Sequence, residues 1–137
     1  MENKEIKESF DILLTVCRID DNKLDIAYKQ MRDLLERLCR SQMQNESLQM
    51  TDLSARISFV AARTGLSAVE QNRLHTFRLT SNGVLNRRTE PEREKLLRDA
   101  KTLAFFLKKL SGTDIPDELY RLLPKTDPTY IIAPPTR

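Results

Sequence analysis

The chain has 137 residues, of which 39% are hydrophobic and 31% charged, and its formal net charge is +3 at pH 7. This length suits one domain, and the apolar share supplies one core, which excludes a chain that is disordered throughout. No apolar run approaches the roughly 20 residues that cross a bilayer, so we expect no membrane partner.

A first amphipathic helix is predicted over residues 5–19. Its apolar side chains recur every three or four residues and form one stripe, which consists of Ile6, Phe10, Leu13, Leu14 and Cys17. Asp20, Asp21 and Asn22 follow this helix. Their side-chain oxygens can cap the free backbone N–H groups of a second helix, so we predict that the second helix begins there.

The second helix is predicted to continue to about Gln44, with the longest uninterrupted apolar stripe in the chain. Residues 41–50, SQMQNESLQM, lose this periodicity and predict a polar connector. Thr51 and Asp52 are candidate caps of a short third helix. Gly65 can end that helix, because glycine adopts the left-handed backbone of a helix C-terminus without a steric clash.

Two capping boxes predict the starts of the fourth and fifth helices. Ser67 with Glu70 can open the fourth helix, and Thr89 with Glu92 can open the fifth. In each pair the hydroxyl and the carboxylate can accept free N–H donors of the first turn. Pro91 favours the second start, because proline in a first turn removes an N–H group that has no helical partner.

The fifth helix is predicted to end at Gly112, and residues 116–123 predict one more short helix that Pro124 stops. Residues 124–137 contain four prolines and no helical periodicity. We therefore predict an all-α, up-and-down bundle of about five helices over residues 1–123, followed by an extended, proline-containing tail or linker over residues 124–137. Such a segment could lead into a downstream module.

Cys17 and Cys39 both fall within apolar stripes, where a reduced thiol acts as a small hydrophobe. Neither belongs to a paired metal-ligand motif, and the charged start MENKEIKES is unlike a signal peptide, so we predict buried thiols in a cytoplasmic protein. The chain also lacks a glycine-rich phosphate loop and the His-Glu-x-x-His and Gly-x-Ser-x-Gly motifs. We therefore predict no metal site and no cofactor.

His75, Arg78, Asn82 and Asn86 share one face of the predicted fourth helix, because residues three or four apart are neighbours on a helix. We call these four residues the α4 row, where α4 denotes the predicted fourth helix that opens at Ser67. An apolar stripe runs beside them, so we expect the row to be half-buried and to need partners in the fold or in a ligand. In the first interpretation, Arg78 and Asn82 tie this helix to adjacent helices, and Gly83 lets another backbone approach closely.

The run RLTSNGVLN, residues 78–86, resembles the Arg-x3-Asn-x3-His signature of HEPN-like helical domains, especially those fused to restriction enzymes and helicases. The likeness covers roughly residues 24–110, with Arg78 and Asn82 at the matching positions. It implies a homodimer in which two motifs form a composite groove. Active members carry a histidine where this chain has Asn86, and an amide cannot act as a general acid or base.

We therefore predict a non-catalytic accessory domain that precedes a helicase or nuclease-type module and mediates self-association or contact with nucleic acid. The predicted nucleic-acid-binding residues are Arg73, Arg78, Asn82, Asn86, Arg87 and Arg88. The arginines supply positive charge suited to phosphates, although three glutamates within residues 90–94 oppose it.

Two alternatives remain open. In the first, the chain is a metal-independent endoribonuclease, in which His75, the only imidazole, acts with Arg78 on one phosphate. In the second, it is a protein-interaction module that binds a partner through an apolar stripe left exposed by the first helix. The fold decides whether His75 and Arg78 lie close together and whether that stripe is free.

Overall fold

The structure, a computed structural model, describes residues 1–43 and 52–125. Within these ranges the secondary structure is helical, without strands. The α-helices are α1 (Asn3–Cys17), α2 (Leu24–Met43), α3 (Leu53–Thr64), α4 (Ala68–Leu85), α5 (Arg93–Ser111) and the single turn α6 (Asp117–Tyr120). A 3-10 turn, Asp21–Lys23, leads into α2. The predicted all-α helical bundle is therefore confirmed.

α2 and α5 lie at the centre of the bundle. α2 packs against α1, α3, α4 and α5, and α5 packs against α1, α2 and α4, while α6 packs against α1. The core accordingly contains fully buried side chains from both central helices, such as Tyr28, Leu34, Leu103 and Leu107. Both predicted thiols also lie inside, and their burial raises the pKa of Cys17 to about 11 and that of Cys39 to about 12.

The apolar stripe of α1 belongs to this core. Ile6, Phe10, Leu13 and Cys17 are all buried, and α1 packs mainly against α5. The stripe is therefore not exposed, and the alternative that the first helix offers an apolar docking surface is wrong. The physical reason is that α5 presents a matching apolar face, which covers the stripe within the same chain.

α4 is held on α2 by one aromatic and one polar contact. The rings of Tyr28 and Phe77 are stacked, with centroids 6.1 Å apart and an interplanar angle of 15°. One turn further along α4, Arg32 of α2 donates to Ser81 Oγ at 2.9 Å and to the backbone carbonyl of Arg78 at 3.3 Å. These two contacts fix the rotation of α4 about its own axis.

Four predicted helix ends are confirmed. Asp52 caps α3 by accepting from the backbone N–H of Ala55 at 2.7 Å. Gly65 and Gly112 end α3 and α5 in the left-handed conformation, both at φ 71°. Ser67 and Glu70 form the predicted capping box of α4. These ends depend on contacts within four residues, which local sequence encodes well.

The predicted capping box of the fifth helix is wrong. α5 begins at Arg93, and its N-cap residue Glu92 makes no side-chain capping hydrogen bond. Thr89 instead closes the turn after α4, where its N–H group donates to the Gly83 carbonyl at 3.1 Å. A Cβ atom on Gly83 would lie 2.4 Å from Thr89 Oγ1. Glycine at this position therefore does permit a close approach, but the group that approaches is the Thr89 side chain and not another backbone. Pro91 accordingly precedes the first turn of α5.

The predicted connector begins too early, because its first three residues, 41–43, belong to α2. The rest of the connector and Thr51 lie outside the described residues.

At the other end of the chain, the carbonyl of Pro124 accepts from Lys101 Nζ at 2.8 Å, and Lys125 Nζ donates to the Tyr120 carbonyl at 2.7 Å. The predicted extended tail beyond them, residues 126–137, also lies outside the described residues. No described helix is both long and apolar enough to cross a membrane.

The acidic pair after α1 does not act as predicted. Asp20 makes no side-chain capping hydrogen bond, and Asp21 instead accepts from Arg93 Nε at 2.6 Å. The same guanidinium donates to the carbonyls of Cys17, at 3.2 Å, and Ile19. Arg93, at the start of α5, thus satisfies carbonyls at the end of α1 that have no helical partner, which joins the two helices.

The C-terminus of α4 is closed by a Schellman motif with an unusual residue in its left-handed position. The N–H of Arg88 donates to the Gly83 carbonyl at 2.8 Å, and the N–H of Arg87 donates to the Val84 carbonyl at 3.1 Å. Arg87 has φ 60°, in the region that this motif normally fills with glycine. A side chain in this conformation costs roughly 1–2 kcal/mol, so Arg87 is present at the expense of stability.

We predict that Arg87→Gly raises the free energy of unfolding by about 1 kcal/mol, because glycine relieves the clash of Cβ in the left-handed region. Urea denaturation followed by circular dichroism measures this change. Arg88→Gly is the control, since it removes the same charge at the next residue, whose φ is not positive. A loss of stability in Arg87→Gly would contradict the prediction.

Candidate functional site

His75 and Arg78 of α4 are in direct contact. Arg78 Nε donates to His75 Nδ1 at 3.3 Å, and both side chains are half-buried. The spacing of three residues places them one above the other on the helix face, as the sequence indicated. Two members of the α4 row are therefore brought together, with a permanent cation beside the only imidazole.

This hydrogen bond determines the tautomer of the neutral imidazole. Because His75 Nδ1 accepts from Arg78, the ring proton must lie on Nε2. Nε2 faces Ser58 Oγ of α3 at 3.4 Å, and Gln71 Nε2 approaches the same hydroxyl at 3.5 Å. An imidazole that presents N–H to a serine cannot remove the proton of that serine, so Ser58 and His75 do not form a nucleophile and base pair.

The pKa of His75 is lowered from its ordinary value by burial and by the neighbouring Arg78 cation. At neutral pH the ring is therefore uncharged. Its Nδ1 lone pair is engaged by Arg78, and its Nε2 carries a proton. In this arrangement the pair offers donors to a ligand and no free base, which suits binding an anion better than transferring a proton.

The other half of the α4 row lies at the helix end. Asn82 is half-buried, as expected, whereas Asn86 is exposed. Asn86 is the C-cap residue, with φ −95° and ψ 9°, and its backbone N–H donates to the carbonyls of Asn82 and Val84. The expectation that the whole row is half-buried is thus wrong for Asn86, because the chain leaves the helix at that residue.

The predicted phosphate-contacting arginines are not on one surface. Arg87 and Arg88 are exposed beyond the end of α4, beside Asp21, Asp25 and Glu90, whose charges weaken the positive field there. Arg73 faces α5, on the other side of α4 from the row, and its guanidinium nitrogens are buried. Arg78, Arg87 and Arg88 make no salt bridge with a carboxylate of the described residues.

A second polar cluster, which the sequence interpretation missed, lies between α2 and α5. Asp99 is buried, and its Oδ2 accepts from the Tyr28 hydroxyl at 2.7 Å. Its Oδ1 accepts from Lys95 Nζ at 2.5 Å. The available signal was an acidic residue within the apolar stripe of α5, three residues after Leu96 and four before Leu103. Nothing in the local sequence marked Ser58, a residue of α3 that contacts His75 of the α4 row.

The pKa of the Asp99 carboxyl is raised by burial, an effect that Lys95, the Tyr28 hydrogen bond and Arg98 partly offset. Burial also raises the pKa of Tyr28, further increased by the adjacent carboxylate. Tyr28 therefore remains a hydroxyl donor at neutral pH. No group of three or more His, Cys, Asp or Glu side chains in residues 1–43 and 52–125 could hold a metal ion.

We predict that the sole histidine titrates below its ordinary pKa and carries its proton on Nε2. Both properties can be measured by NMR through the nitrogen and carbon shifts of one imidazole. Arg78→Leu should raise this pKa partway, because it removes the neighbouring cation and keeps most of the burial. Arg88→Leu is the charge-matched control and should leave it unchanged. Titration at or above about 6.5, or a proton on Nδ1, would refute this geometry.

The raised pKa of Asp99 predicts a specific pH dependence of stability. The folded protein binds this proton more tightly than the unfolded chain, so stability increases as pH falls toward the ordinary carboxyl range near 4. The Asp99→Asn side chain does not titrate. As the pH falls, the free energy of unfolding of wild type should therefore rise relative to that of this variant, by up to about 1.4 kcal/mol per pH unit. Urea denaturation at pH 7 and pH 5 measures the difference. Asp114→Asn, at an exposed carboxylate, controls for the change in charge.

Comparison with known proteins identifies no relative of this chain. No protein-family model matches the chain, and no curated protein or solved structure matches it either. The resemblance of residues 78–86 to the HEPN-like signature therefore stays a prediction from the residues themselves. What the chain does must be argued from its own geometry.

Proposed function

We propose that this chain is a non-catalytic helical accessory domain whose α4 row contacts nucleic acid through its phosphates. The observation that carries the proposal is the hydrogen bond from Arg78 to His75, which combines a cation with a neutral imidazole. Such a pair can donate to an anion and offers no base to attack it. Binding without cleavage is what this chemistry supports.

The donors of the row are arranged along one line. A guanidinium has five N–H groups, and Arg78 uses one of them on His75, which leaves enough for a bidentate contact with phosphate. Asn82 and Asn86 follow at one-turn intervals, so the part of the row from Arg78 to Asn86 extends about 12 Å at a rise of about 1.5 Å per residue. A strand of duplex DNA carries one phosphate per about 3.4 Å of axis, so this length spans several phosphates.

Arg87 supports the same proposal from its backbone. It occupies a left-handed position at the end of the row, where glycine would be more stable, and its side chain is exposed. A residue kept in an unfavourable conformation is a reason to suspect a function for its side chain. We propose that Arg87, with Arg88 beside it, extends the phosphate contacts of Arg78 beyond the helix end.

Self-association is a second part of the proposal. Leu79 follows Arg78 on α4 and is 59% exposed, so an apolar side chain adjoins the row. In the HEPN-like domains that residues 78–86 resemble, the motif often lies at a dimer interface. We propose on this basis that two copies of α4 form a composite groove, and that the domain serves a helicase or nuclease-type module downstream. Light scattering measures directly whether the chain forms this dimer.

We predict that the full chain binds a labelled oligonucleotide in a salt-sensitive manner, measured by fluorescence anisotropy with single- and double-stranded DNA and RNA. Arg78→Ala should weaken binding about five- to tenfold and reduce the salt slope by about 1, because one phosphate contact is lost. Arg121→Ala is the matched control, since it removes an exposed arginine directly after α6, which packs against α1. It should change affinity by less than about twofold.

Three results would overturn this function. Binding that is absent or insensitive to salt would remove the nucleic-acid contact, and an equal loss in both variants would show that only net charge matters. Cleavage of RNA in EDTA that disappears in His75→Ala would favour the alternative, a metal-independent endoribonuclease using His75 and Arg78. The proximity of Arg78 Nε and His75 Nδ1, 3.3 Å apart, favours that alternative, whereas the hydrogen bond between them opposes it because it occupies the lone pair of the imidazole.

A further inference from the structure

A groove follows the interface of α4 and α5 on the side of α4 that faces away from the α4 row. We call it the α4–α5 groove. Its polar part is lined by Asn72, Thr76, Lys95, Arg98 and Thr102, around the buried Asp99. Its apolar part is lined by Leu66, Leu74, Phe105 and Phe106, together with the acidic residue Glu70. Arg73 and Thr102 line both parts, so the two parts adjoin each other.

The buried carboxylate positions a cation in the polar part. Asp99 uses one oxygen for the Tyr28 hydroxyl and the other for Lys95 Nζ, so each of its oxygens already has a partner within the fold. An ammonium group has three N–H donors, and the contact with Asp99 occupies one. Lys95 therefore keeps donors for a ligand while its position is held by a residue that is 3% exposed.

The polar part of the groove favours an anion. Three cations, Arg73, Lys95 and Arg98, line it against one carboxylate, Asp99, which is paired with Lys95, so positive charge is in excess. Arg98 pairs with Glu94, but that glutamate is 87% exposed, so the pair is weak and can yield to a ligand. The hydroxyls of Thr76 and Thr102 add neutral donors at the same place. Positive charge beside neutral donors is the usual composition of a phosphate or carboxylate site.

We propose that the α4–α5 groove binds a small amphipathic anion, with its phosphate or carboxylate beside Lys95 and Arg98 and its apolar group between Leu66, Leu74 and Phe105. This site lies apart from the α4 row and does not depend on nucleic-acid binding. The combination of a cationic part and an adjoining aromatic part distinguishes such a ligand from inorganic phosphate and from an uncharged apolar compound.

Calorimetric titration of the full chain with four probes tests this composition. Phenyl phosphate and phenylacetate carry both groups and differ in the anion, whereas inorganic phosphate and phenol each carry one group. We expect at least one two-part probe to bind at least tenfold more tightly than either single-part probe. If inorganic phosphate or phenol binds as tightly as the two-part probes, or if no probe binds, the proposal is overturned.

Variants locate the bound probe. Lys95→Met and Arg98→Gln should each weaken its binding at least fivefold, and Lys109→Met, an exposed cation on the same helix, should change it less than twofold. Arg98→Gln decides the outcome if Lys95→Met unfolds because Asp99 loses its partner. Arg78→Ala should leave the affinity unchanged. If Arg78→Ala abolishes binding while the groove variants retain it, the anion binds at the α4 row, and the groove proposal fails while the proposed function stands.

Discussion

The packing of α4 on α2 is the contact on which both candidate sites depend. Phe77 stacks on Tyr28, and one turn later Arg32 donates to Ser81 and to the carbonyl of Arg78. Two contacts one turn apart leave a helix no freedom to rotate about its axis. With this rotation set, His75 faces Ser58 of α3, and Arg73 faces α5. One helix therefore contributes to two surfaces of different chemistry.

Tyr28 connects this packing to the buried charge. Its ring contacts α4, and its hydroxyl donates to Asp99 of α5, so one side chain links three helices. Burial acts in the same sense on Asp99 and His75, because it favours the uncharged form of each: it raises the pKa of the acid and lowers that of the base. The two groups differ in their neighbours. Asp99 has a cation that stabilises its charge, whereas His75 has a cation that opposes it.

Helix ends show where local sequence was sufficient and where it was not. Asp52, Gly65 and Ser67 act as predicted, because each makes its contact within one helical turn. Thr89 has the same kind of signal, yet it completes the turn that closes α4, since the Gly83 carbonyl is available to its N–H group. Asp21 also differs from its predicted role, because its carboxylate accepts a hydrogen bond from Arg93, which lies 72 residues later in the chain. Competition from another element, and not weak local preference, explains both differences.

The amino-acid sequence by itself determined the helical class, the apolar stripes, most helix ends and the alignment of Arg78 with His75 and Asn82, because periodicity and capping act over a few residues. Only the tertiary structure decided that Asp99 is buried with Tyr28, that Ser58 meets His75, and that Arg73 lies on the far side of α4. The reason is that solvation and hydrogen-bond partners come from helices distant in the chain. A side chain's charge state is set by those neighbours.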